Sequence, residues 1–107
     1  LGYRPLAYVG AYSATKAALI QVTKSQSIEL ARYNICVNAL APGYILTDIN
    51  RDQLEGETGD LLKKKIPLKR FATVDELDTI ISMLLNTSNT YMTGAVVAVD
   101  GGLSTGL

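Results

Sequence analysis

Histidine is absent from the 107 residues, and cysteine occurs once, as Cys36. Without histidine no Ser-His or Cys-His nucleophile can be assembled. The two gaps together remove any zinc-type ligand set, so no metal site is expected. A single thiol forms no internal disulfide, and its place in an apolar run predicts a buried structural group. Such cysteine usage fits a cytoplasmic protein. Net charge is missing as well, ten Lys and Arg standing against ten Asp and Glu. No summed field therefore attracts nucleic acid or an acidic membrane. No apolar run approaches the length that spans a bilayer, and no basic, then apolar, then small-residue pattern opens the chain as a signal peptide. What remains is a globular composition, 48% hydrophobic and 19% charged, in which any chemistry must use Tyr, Lys, Asp or Glu.

Along the chain, "LGYRPLAYVG" reads as loop, with Gly2, Pro5 and Gly10 as breakers. From Tyr12 to Arg32 there is neither Pro nor Gly, which predicts a long helix. Its first turns are small on nearly every side, suited to close packing against another backbone. Asn34 is placed to stop it in the left-handed region. "ICVNALA" then has strand length and no clean alternation, the mark of a strand buried on both faces. Pro42 and Gly43 break that run. Residues 49–65 read as weak helix interrupted near Gly56 and Gly59, with a mobile turn from Gly56 to Gly59. "KKKIPLKR" reads as a solvated basic connector rather than a phosphate or nucleic-acid site. Thr73 with Glu76 three residues on is a capping-box pattern. Val74, Leu77, Ile80, Ile81, Leu84 and Leu85 follow at helical spacing as a core stripe. "AVVAV" is a second apolar strand, running into Asp100-Gly101-Gly102, which reads as a structural turn. Two buried strands, about Ile35–Leu40 and Ala95–Val99, joined through helices make a parallel β-α-β unit. Two strands alone leave sheet edges unpaired, so the unit reads as part of a larger α/β fold.

Tyr12 and Lys16 lie one helical turn apart and face the same way. An ammonium beside a phenol favours the phenolate, and such a pair can exchange a proton with an alcohol or carbonyl oxygen near neutral pH. The spacing by itself is equally that of an ordinary pair on a helix surface.

"YSATKAAL", "ICVNALAPGYILTD" and "YMTGAVVAVDGG", in this order over residues 10–102, resemble the C-terminal half of a short-chain dehydrogenase/reductase. The resemblance implies the C-terminal part of a doubly wound parallel-sheet (Rossmann-like) fold, residues 1–107 forming one fragment of a single domain. It implies an NAD(P)-dependent oxidoreductase that interconverts a secondary alcohol and a ketone. Tyr12 and Lys16 match the family's Tyr-x-x-x-Lys pair, the tyrosine as acid/base and the lysine as its activator and a partner of the nicotinamide ribose. Pro42, Gly43, Ile45 and Thr47 match the loop that borders the nicotinamide. Thr47 is also placed to cap a helix, and both roles can hold. Gly43 is also readable as a residue that permits a positive φ. Expected partners are NAD or NADP, a small carbonyl or alcohol substrate, and a second copy of the chain packed through the long helices.

The departures from the family are informative. Its glycine-rich phosphate loop and the residue selecting NAD from NADP belong to an earlier half with no counterpart here. Its catalytic serine would fall just before Leu1, and Ser13 faces elsewhere. The chain is therefore expected to be a fragment, beginning in mid-loop without methionine and inactive alone. An assembly module without catalysis is the other reading.

Overall fold

In the computed structural model of the chain, residues 3–105 are described, with the side chains of residue 14 and residues 16–105. The element order is α1 (Tyr3–Leu30), β1 (Ala39–Pro42), α2 (Arg51–Leu54), α3 (Glu57–Lys65), α4 (Val74–Leu85) and β2 (Val96–Val99). The chain divides into two compact units, Leu1–Ala39 with Thr90–Val96, and Leu40–Asn89 with Val97–Leu107.

The first unit is built on α1. Its helix begins at Tyr3 rather than near Tyr12, so the opening segment is helical and not loop. Pro5 is tolerated because the first-turn amides of a helix have no acceptor within it. Gly10 inside the helix costs only about 1 kcal/mol relative to alanine. After a single 3₁₀ turn, Asn34 stops the chain at φ 58, as its sequence position predicts. Thr23 and Ser27 are buried on α1. Their hydroxyls donate to the carbonyls of Leu19 and Lys24, at 2.8 and 2.6 Å, so neither is left unsatisfied. Ser27 lies against Gly94, whose positive φ of 75 and close approach exclude a side chain.

Strand β1 starts four residues later than expected, because side chains replace the ladder before it. The Val37 amide donates to the Thr93 hydroxyl at 3.0 Å. Asn38 spans the gap with its carboxamide, donating to the Met92 carbonyl at 2.9 Å and accepting from the Ala95 amide at 3.0 Å. Cys36 is exposed, against the expectation of burial. Its Sγ points toward the Thr90 carbonyl at 4.0 Å, at the margin of this side-chain-mediated stretch rather than inside a core. The ladder proper runs from Ala39 N–H to the Ala95 carbonyl (2.9 Å) and from Gly43 N–H to the Val99 carbonyl (3.0 Å). Partners advance together along both strands, so the pair is parallel, as predicted.

The second unit has its core at Leu54, Ile66 and Phe71, with Leu46, Leu62 and Leu103 packed against it. Gly59 is not a turn residue: it lies inside α3 and is buried. An added Cβ would overlap the Leu54 carbonyl, so the glycine lets α2 and α3 meet at backbone distance. The interruption falls at Glu55 and Gly56 instead. Helix α4 begins with the expected capping box of Thr73 and Glu76. Its apolar stripe is less enclosed than its spacing predicts. Leu77, Ile80 and Leu84 are half-buried, while Val74, Ile81 and Leu85 are exposed. Of the basic run, Lys63, Lys64 and Lys65 end α3 rather than forming a connector; Lys64, Lys65, Lys69 and Arg70 are exposed, while Lys63 is half-buried with its ammonium over the Phe71 ring. Asp100 organises the turn after β2, its carboxylate accepting from the amides of Gly102 (3.0 Å) and Ser104 (3.1 Å). Among the described residues, no helix is long and apolar enough to cross a membrane, and no cluster of His, Cys, Asp or Glu could hold a metal ion.

Candidate active site

Tyr12 and Lys16 both lie within α1, one turn apart along its backbone. The Lys16 side chain is half-buried. The Tyr12 side chain, and with it the acid/base assignment, lies outside the described residues.

Pro42, Gly43, Ile45 and Thr47 belong to the second unit, where β1 runs into a short loop. Gly43 does not take a positive φ. Its need for glycine comes from crowding, since an added Cβ would stand 2.8 Å from Asp100 Cβ and 2.9 Å from Asp100 Cα. Beyond it a single parallel bridge joins Ile45 to Ala72. The Ala72 amide donates to the Tyr44 carbonyl at 3.0 Å, and the Leu46 amide donates to the Ala72 carbonyl at 2.9 Å. Since the residues on either side of Ile45 carry these bonds, Ile45's own N–H and C=O face away from Ala72. The ring of Tyr44 meets Phe71 edge-on, with centroids 6.1 Å apart, which ties this stretch to the core.

On the side where the Ile45 groups point, Asn50 closes the loop. Its Nδ2 donates to the Ile45 carbonyl at 2.8 Å, and its Oδ1 accepts from the Thr47 amide at 2.7 Å. One partner is an acceptor and the other a donor, so this carboxamide satisfies both in one orientation only. The Asn50 amide in turn donates to Thr47 Oγ1 at 3.4 Å. Thr47 is therefore not the helix N-cap foreseen for it: its hydroxyl closes the turn before α2, whose N-cap is Asn50. Among the described residues the Ile45 amide has no acceptor. The Ile45 amide and Thr47 thus belong to one short loop, whose bare Gly43 face is turned toward Asp100. An open groove of about 500 Å³ adjoins it, bordered by Leu46, Thr47, Ile49 and Val74.

Asn50 is the residue that the sequence reading missed. Its signal was present, since threonine followed three residues later by asparagine is a capping arrangement of the kind recognised at Thr73 and Glu76. A second feature missed is the two-pronged ion pair in which Arg70 Nη1 and Nη2 each donate to a Glu76 oxygen at 2.7 Å. The Arg70 hydrogen bonds, with the one from the Thr73 amide, hold the Glu76 carboxyl down at about 2. Arg70 is raised in return, chiefly by its bond to Glu76. This pair clamps the start of α4.

Residues 2–104 match the family model described as enoyl-(acyl carrier protein) reductase. The chain is 44% identical over 92 residues to a 3-oxoacyl-[acyl-carrier-protein] reductase of Aquifex aeolicus, an alignment covering 86% of this chain and 37% of that protein. It is 40% identical over 94 residues to the ribulose-forming D-arabinitol 2-dehydrogenase of Scheffersomyces stipitis, covering 85% of this chain and 34% of the relative. Among solved structures, the short-chain dehydrogenase/reductase of Serratia marcescens superimposes with a TM-score of 0.79 at 33% identity, over 87% of this chain and 37% of that one. The chain thus spans little more than a third of the length of the relatives it matches. The matched family model, the shared sequence and the shared doubly wound α/β architecture agree with the Tyr-x-x-x-Lys turn and the Pro-Gly loop, and the chain belongs to the short-chain dehydrogenase/reductase family of nicotinamide-dependent oxidoreductases.

Proposed function

We propose that this chain is the part of an NAD(P)-dependent oxidoreductase that carries its proton-transfer helix and its nicotinamide loop. The reaction is interconversion of a secondary alcohol and a ketone. The observation that carries the reading is the loop after β1, where the Ile45 amide faces away from the Ala72 bridge without an acceptor among the described residues and Thr47 lies two residues on. The printed names of the two relatives, a 3-oxoacyl reductase and a ribulose-forming dehydrogenase, support chemistry between a ketone and an alcohol.

In this reading the bound nicotinamide supplies or accepts the hydride. Tyr12 holds the proton that the substrate oxygen gains or loses, at its phenolic oxygen. Lys16, one turn on, favours the phenolate by its charge and donates to the ribose beside the ring. Gly43 lets the loop pass close against Asp100, and Ile45 and Thr47 orient the carboxamide. Tyr12→Phe in the full-length enzyme keeps the ring and removes only the proton. Turnover should fall by at least about 100-fold, the lower end for general acid–base catalysis, with cofactor affinity retained. Near-normal turnover would refute the assignment.

Self-association through α1 is the second element of the proposal. Leu19 and Val22 are exposed one turn apart on that helix, at 53% and 49%, and uncovered apolar surface favours association. Sedimentation equilibrium should show a dimer or larger species, and a stable monomer would refute it.

A further inference from the structure

The turn after β2 touches two segments that meet each other at Ala72 and Ile45. Asp100 shapes that turn, its carboxylate accepting from the amides of Gly102 at 3.0 Å and Ser104 at 3.1 Å. Gly101 and Gly102 take positive φ values of 64 and 93, and neither has room for a side chain. A Cβ on Gly101 would stand 2.8 Å from Ile66 Cγ2, and one on Gly102 would stand 2.9 Å from Pro67 Cγ. The Gly101 carbonyl accepts from the Leu68 amide at 3.1 Å. The turn thus lies directly against the start of the 66–72 connector.

The far end of that connector returns to the strand exit, where the Ala72 amide donates to the Tyr44 carbonyl and the Ala72 carbonyl accepts from the Leu46 amide. Asp100 also reaches the same place directly, since a Cβ at position 43 would meet its Cβ at 2.8 Å and its Cα at 2.9 Å. Two routes therefore lead from one residue to Ile45. They close a ring through Gly43, Asp100, Gly101, Leu68 and Ala72.

We propose that Asp100 is a positioning residue for the oxidoreductase, its carboxylate holding this ring so that the Ile45 amide keeps the direction cofactor binding uses. The proposal rests on the reading above and deepens it. Asp100 acts through the turn and not by contact with the cofactor. An ionised carboxylate suits the task because it only accepts, and so takes both amides at once. A carboxamide takes one and turns its NH2 toward the other.

The test uses the full-length enzyme as wild type, Asp100→Asn and Asn38→Ala. Asp100→Asn keeps the Cβ beside Gly43 and takes one acceptor from the turn. Asn38→Ala removes two bonds to main-chain groups ahead of β1, which supplies comparable damage outside the ring. Affinity for NADH or NADPH by calorimetry should fall about fivefold in Asp100→Asn, the worth of one hydrogen bond. In Asn38→Ala it should stay within about twofold of wild type. Turnover at saturating cofactor should be unchanged in Asp100→Asn, because only binding is disturbed. Hydrogen exchange at the Leu46, Leu68 and Ala72 amides should quicken in Asp100→Asn and not in Asn38→Ala. In wild type these three amides should open together, with protection within about threefold of one another. Protection differing by more than about tenfold breaks the ring and overturns the proposal even if no variant folds. Equal affinity in wild type and Asp100→Asn, an equal loss in both variants, or exchange that Asp100→Asn leaves unchanged overturns it too. If the folded wild-type enzyme binds neither dinucleotide, the oxidoreductase reading fails and takes the proposal with it.

Discussion

Replacing Gly43 by alanine tests how tightly the candidate nicotinamide loop is bound to its fold. Among the described residues the positive-φ glycines are Gly94, Gly101 and Gly102, and Gly43 is not one of them. Alanine can adopt its backbone, and the reduced freedom of the unfolded chain would by itself stabilise the protein by about 0.4–1 kcal/mol. Against this stands the new Cβ, 2.8 Å from Asp100 Cβ and 2.9 Å from Asp100 Cα. A main-chain atom has no rotamer into which it can withdraw. Overpacking of this kind costs about 1–3 kcal/mol. Displacing Asp100 also weakens its bonds to the amides of Gly102 and Ser104, 3.0 and 3.1 Å long, each worth about 1 kcal/mol. The opposing contributions leave a net loss of about 1–3 kcal/mol. Urea unfolding of the full-length enzyme should show a lower midpoint with an unchanged slope, and cofactor affinity should fall because Ile45 lies two residues on. A midpoint equal to or above wild type, with affinity unchanged, would show that Asp100 yields freely and that crowding does not explain the glycine.

Lys16→Ala should impair both turnover and cofactor affinity if, as proposed, Lys16 serves the ribose as well as the phenol; unchanged affinity in a binding titration would leave it only its electrostatic part. Glu76 predicts an acid limb of stability. Its carboxyl, at 4.5 in isolation, is held to about 2 in the fold, so its contribution is complete above about pH 4.5 and is lost as pH falls toward 2. Glu76→Gln should therefore unfold more easily than wild type at neutral pH and converge with it near pH 2, and parallel curves throughout would refute the assignment.

Element types were legible where local chemistry decides them. The Thr73 and Glu76 capping box, the Asn34 stop and the Asp100-Gly101-Gly102 turn each depend on groups within a few residues, and each forms as its residues predict. Boundaries failed where distant groups intervene. Residues 35–38 have strand composition, yet Thr93 and the Asn38 carboxamide take the place of ladder bonds. Cys36 is apolar by type and exposed in fact, because burial depends on what lies across from a segment and not on the segment itself. At the candidate site the positive φ offered for Gly43 is not taken up, and Asn50 had been assigned no part. Both depend on contacts made only after the chain has turned.

The Ile45–Ala72 bridge constrains how this protein can vary. Residues 66–72 look like a connector, and connectors ordinarily accept insertions. Here the register of Ala72 determines which way the Ile45 amide faces. Sliding that register by one residue would turn the amide inward and spend it on the bridge. The stretch from Ile66 to Ala72 therefore has a length it must keep. Changes in loop length have freer ground at Glu55 and Gly56, where the chain passes between α2 and α3 and both residues are exposed.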